Sequence, residues 1–299
     1  MLDVVIIGSG PAGITAAIYA KRANLNVAVV EKEYLGTGQI AESSRVDNYP
    51  GIPGIDGYSL GEKFREHAES LGVEFTEAQV LSLGQKDGIW IIGCDEDITL
   101  ESKAVIYATG CKNRPLGVPV EEKYYGRGLS FCAVCDGAFY KGKRVAVIGG
   151  GDTALDDAMY LSDICEKVYL VHRREFFRGS ASTLEKLKQK ENVEIIVNVR
   201  VEEITGDKKI DGIILDNKTK LNISGLFAAV GMIPQTELLK EFGVLDESNY
   251  VKASEDTKTT VNGLFAAGDV RTKQLRQVVT AAADGANAIY SVMEYLRNI

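Results

Sequence analysis

The sequence predicts an α/β protein built from two Rossmann-like nucleotide-binding domains, the second inserted into the first. The main observation is an internal repeat, because residues 144–174 follow the same pattern as residues 3–32. Each copy runs from a β-branched apolar stretch through a glycine turn and an Ala-rich stretch to a second β-branched stretch. That order predicts strand, phosphate-binding turn, helix and strand, the βαβ unit that binds dinucleotides.

Length and composition fit this architecture and argue against other classes. A chain of 299 residues is about twice as long as a typical domain. The net charge of −8 argues against broad binding of nucleic acids or acidic membranes, which requires a basic surface. We expect no signal peptide and no membrane span, because the N-terminus lacks a basic segment and no apolar run is long enough. Five cysteines are an odd number for a disulfide-stapled secreted scaffold, so we expect a reducing, cytoplasmic setting.

The first copy carries a complete glycine fingerprint. Gly8, Gly10 and Gly13 allow a tight turn, close approach of a pyrophosphate and close packing of helix on strand. The N-terminus of the following helix adds N–H groups and the positive end of its dipole. Glu31 lies 23 residues beyond Gly8, where a carboxylate accepts hydrogen bonds from ribose hydroxyls. This copy therefore predicts a site for an unphosphorylated adenosine ribose, as in FAD or NAD.

The second copy has the same turn and a different residue at its end. The fingerprint places are filled by Gly149, Gly151 and Ala154. His172 lies at the offset that Glu31 has in the first copy, and it is followed by Arg173, Arg174 and Arg178. Because guanidinium groups match phosphate geometry, this copy predicts a site for a dinucleotide with a 2′-phosphate, namely NADPH. The alternative is that the arginines form a solvated basic loop.

Strand-and-glycine segments mark the crossings between domains. Residues 104–110 and 225–231 each read as a short strand ending on glycine and followed by a proline-containing crossing, and residues 263–269 repeat the strand pattern. We therefore predict an FAD-binding domain of residues 1–112 and 236–299. Residues 113–235 are predicted to form an NADPH-binding domain that carries a CxxC motif. Alternating stretches in both parts predict a smaller sheet in each domain.

The CxxC motif consists of Cys132 and Cys135, with Asp136 directly after the pair. A structural zinc site needs about four Cys or His ligands. This chain has two histidines and no second CxxC, so we predict no metal. A buried inert pair is disfavoured because a glycine-rich turn follows at once. We predict that the pair lies near the start of a short helix or turn, where the thiol pKa is lowered and Asp136 serves as acid or base.

The three sites together predict one electron path. An FAD-type site, an NADPH-type site and a dithiol suit transfer of hydride from NADPH to flavin and of two electrons from flavin to the disulfide. The resulting dithiol then reduces an external partner.

At these residues the chain resembles the low-molecular-weight, bacterial-type thioredoxin reductases, which are class II pyridine nucleotide-disulfide oxidoreductases. The resemblance covers nearly the whole chain. In order, the matching motifs are GSGPAG (8–13), GQ…DNYPG (38–51), ATG (108–110), CAVCDG (132–137), GGGDTA (149–154), HRREFFR (172–178), AAGDV (266–270) and RQVVTAAADG (276–285). Asp152 stands where many relatives have Asn, and we expect NADPH binding to survive. The resemblance implies three-layer ββα domains and a homodimer that reduces thioredoxin.

The resemblance also implies roles for residues at matching positions. Cys135 receives electrons from the flavin, Cys132 attacks the partner's disulfide, and Asp136 manages protons. The implied FAD-binding residues are Gly8, Gly10, Pro11, Ala12, Gly13, Glu31, Gly38, Gln39, Asn48, Gly110, Asp269, Arg276, Gln277 and Val278. The implied NADPH-binding residues are Gly149, Gly151, Asp152, Thr153, Ala154, His172, Arg173, Arg174 and Arg178. Rotation of one domain against the other, about pivots near residues 112–115 and 231–234, is implied as well.

Three alternatives stay open at the level of sequence. The same scaffold can take electrons from ferredoxin, or reduce a glutaredoxin-like dithiol protein. A flavin- and NADP-binding module in which the CxxC is a regulatory sensor is the alternative outside enzymes. Arg127, Phe139 and Tyr140 are candidates for partner contact or for simple packing.

The remaining conspicuous residues predict structural roles. We expect Trp90 in the core of a sheet and His67 on the exposed face of a helix. Cys94, Cys111 and Cys165 are expected to be structural thiols.

Overall fold

The computed structural model describes residues 1–33, 37–43 and 45–299. Ser44, inside the 38–51 motif, therefore lies outside the described residues, and Glu42 is described by its backbone alone. The chain divides into two compact units: unit 1 comprises Met1–Lys112 and Ile233–Ile299, and unit 2 comprises Asn113–Met232. The chain re-enters unit 1 at Ile233, slightly before the predicted residue 236. Each cluster of buried hydrophobic side chains lies within one unit.

Unit 1 begins with a parallel sheet that continues into an antiparallel one. Its elements are β1 (Leu2–Ile7), α1 (Pro11–Arg22), β2 (Val27–Glu31), α2 (Gly57–Ser70), β3 (Glu74–Glu77), β4 (Val80–Lys86), β5 (Ile89–Cys94) and β6 (Thr99–Tyr107), followed by the crossing strand β7 (Cys111–Asn113). The strand order is β3-β2-β1-β6-β5-β4. The prediction of a separate smaller sheet is wrong for this unit. Strand β6 is long enough to pair antiparallel with β5 at its start and parallel with β1 at its end, so it joins both parts.

Unit 2 has the two separate sheets that the sequence predicts. Its elements are β8 (Leu129–Ser130), α3 (Ala133–Asp136), β9 (Arg144–Ile148), α4 (Asp152–Ser162), β10 (Lys167–His172), α5 (Ala181–Lys188), β11 (Val193–Val197), β12 (Val201–Thr205), β13 (Gly212–Leu215), β14 (Lys220–Asn222) and β15 (Gly225–Ala228). The parallel sheet has the order β11-β10-β9-β15-β8. Strands β12, β13 and β14 form the smaller antiparallel sheet.

The chain then returns to unit 1 through β16 (Met232–Pro234), β17 (Leu264–Ala266) and α6 (Val278–Leu296). Strand β17 pairs parallel with β6, and β16 pairs with the crossing strand β7. Helix α6 packs against α1 at Gly285, where a Cβ would lie 2.2 Å from the carbonyl oxygen of Ala12. Short 3-10 helices cover Gly38–Glu42, Glu121–Tyr124, Gly137–Tyr140, Glu237–Phe242 and Gly268–Val270.

The central strands are buried on both faces. Val4, Val5, Ile6 and Ile7 of β1 are all buried, as expected for a parallel strand covered on both sides. Trp90 on β5 is fully buried, which confirms its predicted place in a sheet core. In such open sheets, ligands bind outside the carboxyl ends of the strands. Both glycine turns lie there, directly after β1 and after β9.

The predicted α/β class with two Rossmann-like units, the second inserted in the first, is confirmed. Among the described residues, no helix is both long and apolar enough to cross a bilayer.

Candidate functional site

The first glycine turn combines two packed glycines with one open glycine. A Cβ on Gly8 would lie 2.6 Å from the carbonyl oxygen of Ala108, and a Cβ on Gly13 would lie 1.9 Å from that of Gly8. A Cβ on Gly10, in contrast, would meet nothing closer than the carbonyl oxygen of Thr37, at 3.8 Å. The fold therefore excludes side chains at Gly8 and Gly13. At Gly10 the open space fits the close approach of a pyrophosphate.

The carboxylate of Glu31 lies next to this turn. Its Oε2 accepts hydrogen bonds from the backbone N and the Oγ of Ser9, at 2.8 and 2.9 Å. Its Oε1 accepts a hydrogen bond from the backbone N of Lys32, at 2.7 Å. These bonds hold the carboxylate at the end of β2, the position from which a Rossmann carboxylate binds ribose hydroxyls.

Helix α1 begins at the turn with Pro11 and Ala12, and Gly10 is its N-cap residue. Within the described residues, no side chain caps this end. Its first N–H groups therefore remain available for an anion. A Cβ on Gly38 would lie 3.5 Å from the Cα of Gly10, which places Gly38 and the adjacent Gln39 beside the same turn.

Two distant segments of unit 1 meet at the start of α6. Asn48 Nδ2 donates to Oε1 of Gln277 at 2.9 Å, although the two residues are 229 positions apart. Gln277 is the N-cap residue of α6 and Val278 is the first residue of that helix. The guanidinium of Arg276 lies 4.2 Å from the ring centroid of Tyr250.

Asp269 has the most informative environment of the predicted FAD residues. Its Oδ1 is buried and has no hydrogen-bond partner among the described residues. Burial raises the pKa of this carboxyl group. A buried oxygen without a partner is rare in folded proteins and fits a hydrogen bond to a ligand hydroxyl.

Gly110, the last of the predicted FAD-binding residues of unit 1, has φ +66. Its carbonyl oxygen accepts a hydrogen bond from the backbone N of Gln235.

The second glycine turn repeats this division between packed and open glycines. A Cβ on Gly149 would lie 2.4 Å from the carbonyl oxygen of Ala229, whereas a Cβ on Gly151 would meet nothing within 4 Å. Ala154 is buried against the turn. Asp152 and Thr153, the first residues of α4, are exposed, and Oδ1 of Asp152 accepts a hydrogen bond from the backbone N of Ser180 at 2.7 Å.

The loop after β10 presents the predicted arginines beside this turn. Arg173, Arg174 and Arg178 are exposed. The backbone N of Arg178 donates to the carbonyl oxygen of Gly150 at 2.7 Å, which holds the loop against the turn. His172, in contrast, is only 7% exposed and its Nε2 donates to the carbonyl oxygen of Phe176. The structure thus gives an open glycine turn beside a loop with three exposed arginines, an arrangement that fits a dinucleotide bearing a 2′-phosphate.

Cys132 and Cys135 form a disulfide, with their Cα atoms 5.3 Å apart. Cys132 is the N-cap residue of α3, so the pair lies at the start of a short helix, as predicted. Both residues are half-buried, and Val134 between them is 58% exposed. The disulfide is therefore close to the surface of unit 2.

Asp136 is held next to the disulfide by Ser130. The Oγ of Ser130 donates to Oδ2 of Asp136 at 2.6 Å. Burial raises the pKa of Asp136, and the hydrogen bond from Ser130 opposes that rise. A carboxyl group with a raised pKa exchanges its proton closer to neutral pH, which suits proton transfer at a dithiol.

The other cysteines have the structural role that the sequence predicts. Cys94, Cys111 and Cys165 are buried free thiols. Burial raises the pKa of Cys111 to about 12 and that of Cys165 to about 11, so neither carries much thiolate near neutral pH. His67 is exposed on α2, as predicted. Within the described residues, no cluster of three or more Cys, His, Asp or Glu side chains has the arrangement of a metal site.

The sequence did not predict three residues that contribute to these sites. Ser9 binds Glu31, Ser130 binds Asp136, and Gly150 contacts the loop that carries the arginines. Their positions inside or beside the motifs are the only signal in the sequence, because serine and glycine are common in turns of every kind.

The chain matches known proteins along nearly its whole length. The family model described as pyridine nucleotide-disulphide oxidoreductase matches residues 2–285. A "34.2 kDa protein in rubredoxin operon" of Clostridium pasteurianum is 39% identical over 303 residues, covering 99% of this chain and 97% of that protein. The thioredoxin reductase of Bacillus subtilis (strain 168) is 38% identical over 305 residues, covering 99% of this chain and 95% of that protein.

A solved structure agrees with these relatives. The crystal structure of thioredoxin reductase from Streptococcus pyogenes MGAS5005 superposes with a TM-score of 0.94 at 39% identity, covering 100% of this chain and 99% of that chain. The resemblance stated from the motifs is thereby confirmed. The chain belongs to the pyridine nucleotide-disulphide oxidoreductases and, within them, to the thioredoxin reductase family.

Proposed function

We propose that the protein is an NADPH-dependent flavoprotein disulfide reductase that reduces the disulfide of thioredoxin. The observation that carries the proposal is a near-surface disulfide with a carboxyl group beside it, in a chain with two dissimilar dinucleotide turns. Glu31 marks one turn and three arginines mark the other. The thioredoxin reductases among its relatives support the same activity.

The residues present fit both cofactors. In unit 1, the open space at Gly10, the fixed carboxylate of Glu31 and the buried free oxygen of Asp269 would hold FAD. In unit 2, the open space at Gly151 and the arginine loop would hold NADPH. When bound, the two cofactors supply hydride and two-electron chemistry.

The chain's own contribution is disulfide exchange. Two electrons and two protons convert the Cys132–Cys135 disulfide into two thiols. The thiolate of Cys132 then attacks one sulfur of the partner's disulfide, forms a mixed disulfide and releases the other partner sulfur as a thiolate. The thiolate of Cys135 attacks Cys132, which re-forms the disulfide and releases the partner as a dithiol. Asp136 holds the proton that a cysteine loses and returns one to the departing thiolate.

The surface around the disulfide supports a protein as substrate. Val134 is 58% exposed and Phe139 is 40% exposed, and Arg127 is exposed as well. Tyr140 packs edge-on against Phe227 with ring centroids 5.3 Å apart, which favours the packing role for Tyr140. If Arg127 contacts thioredoxin, Arg127→Ala will raise the KM for thioredoxin several-fold with little change in kcat. An unchanged KM removes it from the contact surface.

We also propose that the protein is a cytoplasmic homodimer. The resemblance to bacterial-type thioredoxin reductases and the expected reducing setting support this. Sedimentation equilibrium at micromolar concentration will give twice the chain mass if the proposal holds.

An anaerobic titration tests the main proposal. NADPH is expected to bleach the flavin absorbance rapidly, and NADH at equal concentration is not. A Cys135→Ser variant should keep its flavin and its bleaching by NADPH but lose reduction of thioredoxin. Normal thioredoxin reduction by that variant would contradict the role of the disulfide. Faster reduction by ferredoxin than by NADPH, or of a glutaredoxin-like protein than of thioredoxin, would favour the alternatives.

A further inference from the structure

The two units contain the same pairwise contact in two chemical forms. In each, the residue between the first two fingerprint glycines touches the residue 23 positions beyond the first glycine. In unit 1 this contact consists of hydrogen bonds, from Ser9 to the carboxylate of Glu31. In unit 2 it is a packing contact between Gly150 and the imidazole of His172.

The packing contact leaves no room for a side chain at position 150. A Cβ on Gly150 would lie 2.2 Å from Cε1, 2.4 Å from Nδ1 and 2.5 Å from Nε2 of His172. These three similar distances place the Cβ over the face of the ring. The ring of Phe177 packs against the imidazole in a tilted arrangement, with centroids 4.9 Å apart and an interplanar angle of 34°. The imidazole therefore contacts both Gly150 and Phe177.

The same two residues fix both ends of the arginine loop. Nε2 of His172 donates to the carbonyl oxygen of Phe176 at 3.2 Å, which closes the first part of the loop. The carbonyl oxygen of Gly150 accepts hydrogen bonds from the backbone N of Arg178 and of Gly179, at 2.7 and 3.2 Å. The imidazole and the backbone of Gly150 thus set the distance between the loop and the phosphate-binding turn.

Burial removes His172 from the role of a direct phosphate ligand. His172 is only 7% exposed, whereas the three arginines of the loop are exposed. Burial also lowers the pKa of His172, the hydrogen bond to Phe176 opposes this, and the neighbouring arginines lower it further, so the neutral ring is favoured near pH 7. Its contribution is the placement of the guanidinium groups and not a charge of its own.

We infer that His172 is a positioning residue whose packing on Gly150 determines the preference of unit 2 for nucleotides that carry a 2′-phosphate. The inference rests on the proposed use of NADPH. The arginines supply the charge, and the Gly150–His172 contact holds them where a 2′-phosphate on the turn meets them. Displacing the ring moves the arginines away from that place without changing the turn's contact with a pyrophosphate.

The test measures binding of two fragments to the purified holoenzyme by calorimetry, namely 2′,5′-ADP and 5′-AMP. Gly150→Ala places a methyl group on the imidazole. The variant should bind 2′,5′-ADP about tenfold more weakly, which is the effect of losing one charge-assisted hydrogen bond. Its affinity for 5′-AMP should change little. Gly150 does not have a left-handed φ, so alanine brings no backbone strain. Gly84→Ala is the matched control, because its Cβ would meet nothing within 4 Å.

A double-variant cycle separates this contact from a general loss of order. His172→Ala should also lower the ratio of the affinity for 2′,5′-ADP to that for 5′-AMP. In this His172→Ala background, Gly150→Ala should lower the ratio almost no further, because its methyl group no longer contacts a ring. His172→Phe keeps the ring and should retain more of the ratio than His172→Ala. Additive effects of the two alanine substitutions, or equal ratios for the Phe and Ala variants, would overturn the inference. A wild-type enzyme that does not distinguish the two fragments would overturn the proposed use of NADPH together with it.

Discussion

Asp136 is subject to two opposing influences that together decide when its carboxyl group carries a proton. Burial raises its pKa, and the hydrogen bond from Ser130 lowers it. Asp136→Asn keeps the shape and removes the exchangeable proton, so we expect kcat for thioredoxin reduction to fall roughly hundredfold, the usual range for a lost acid–base group. Ser130→Ala removes the opposing hydrogen bond and should shift the controlling pKa in the pH profile of kcat upward. An Asn variant with wild-type kcat would exclude Asp136 from proton transfer.

Asp157 on α4 predicts a pH-dependent loss of stability. Burial, with a further contribution from Asp156, raises its pKa from 3.8 to about 7. The folded state therefore binds more protons than the unfolded state between those values, so stability falls as pH rises through that window. Asp157→Asn should stabilise the fold by about 1–3 kcal/mol at pH 8, after allowance for partial exposure, and much less near pH 4.

Urea unfolding at the two pH values measures this effect. The control is Asp156→Asn, on the neighbouring exposed residue, which should have a smaller effect because the charge of Asp156 is the lesser cause. Equal stabilisation by Asp157→Asn at both pH values would contradict the raised pKa.

At the scale of elements, each glycine turn contains packed glycines that the fold requires and one open glycine that is available to a ligand. Gly13→Ala puts a methyl group 1.9 Å from the carbonyl oxygen of Gly8, which forces α1 away from β1. We expect it to destabilise unit 1 by a few kcal/mol, about 1–3 by the usual effect of overpacking. Gly10→Ala meets only open space and should fold normally while losing most of its bound flavin. The flavin-to-protein absorbance ratio and the far-UV circular dichroism of both variants check this, and full flavin in Gly10→Ala would contradict it.

Local patterns predicted the βαβ units, the short helix at the cysteines and the buried Trp90, because each depends on neighbours in sequence. Contacts between distant segments were not predictable. The buried carboxylate of Asp284 binds Nε of Arg271 at 2.8 Å and Nζ of Lys273 at 2.9 Å, although nothing in the motif RQVVTAAADG distinguishes this aspartate. The need for glycine at position 150 likewise depends on an imidazole that follows 22 residues later.

The prediction of a separate smaller sheet in unit 1 is wrong for a similar reason. The length of β6, and not the alternation within β4 and β5, joins those strands to the parallel sheet. Alternation reports which face of a strand is buried, but it carries no information about the partner strand.

At the scale of the whole molecule, the two units should respond to ligands separately. Each buried hydrophobic cluster belongs to one unit, and the candidate 2′-phosphate site lies within unit 2. We expect 2′,5′-ADP at about 100 times its dissociation constant to stabilise unit 2 by about 2.7 kcal/mol. Hydrogen exchange should therefore slow in α4 and β10 with little change in α1. Uniform protection of the whole chain would show that the units unfold as one.

The hydrogen bonds at the crossings have a consequence for engineering of the chain. In unit 1 the backbone N of Gln235 donates to the carbonyl oxygen of Gly110, and in unit 2 the backbone N of Arg114 donates to that of Gly231, both at 3.0 Å. In each unit, the two points at which the chain leaves and re-enters therefore lie next to each other. We expect a gene in which a tight turn links residue 110 to residue 235 to encode unit 1 without unit 2. The excised segment, with adjacent ends, is suited to transplantation into a surface loop of another protein.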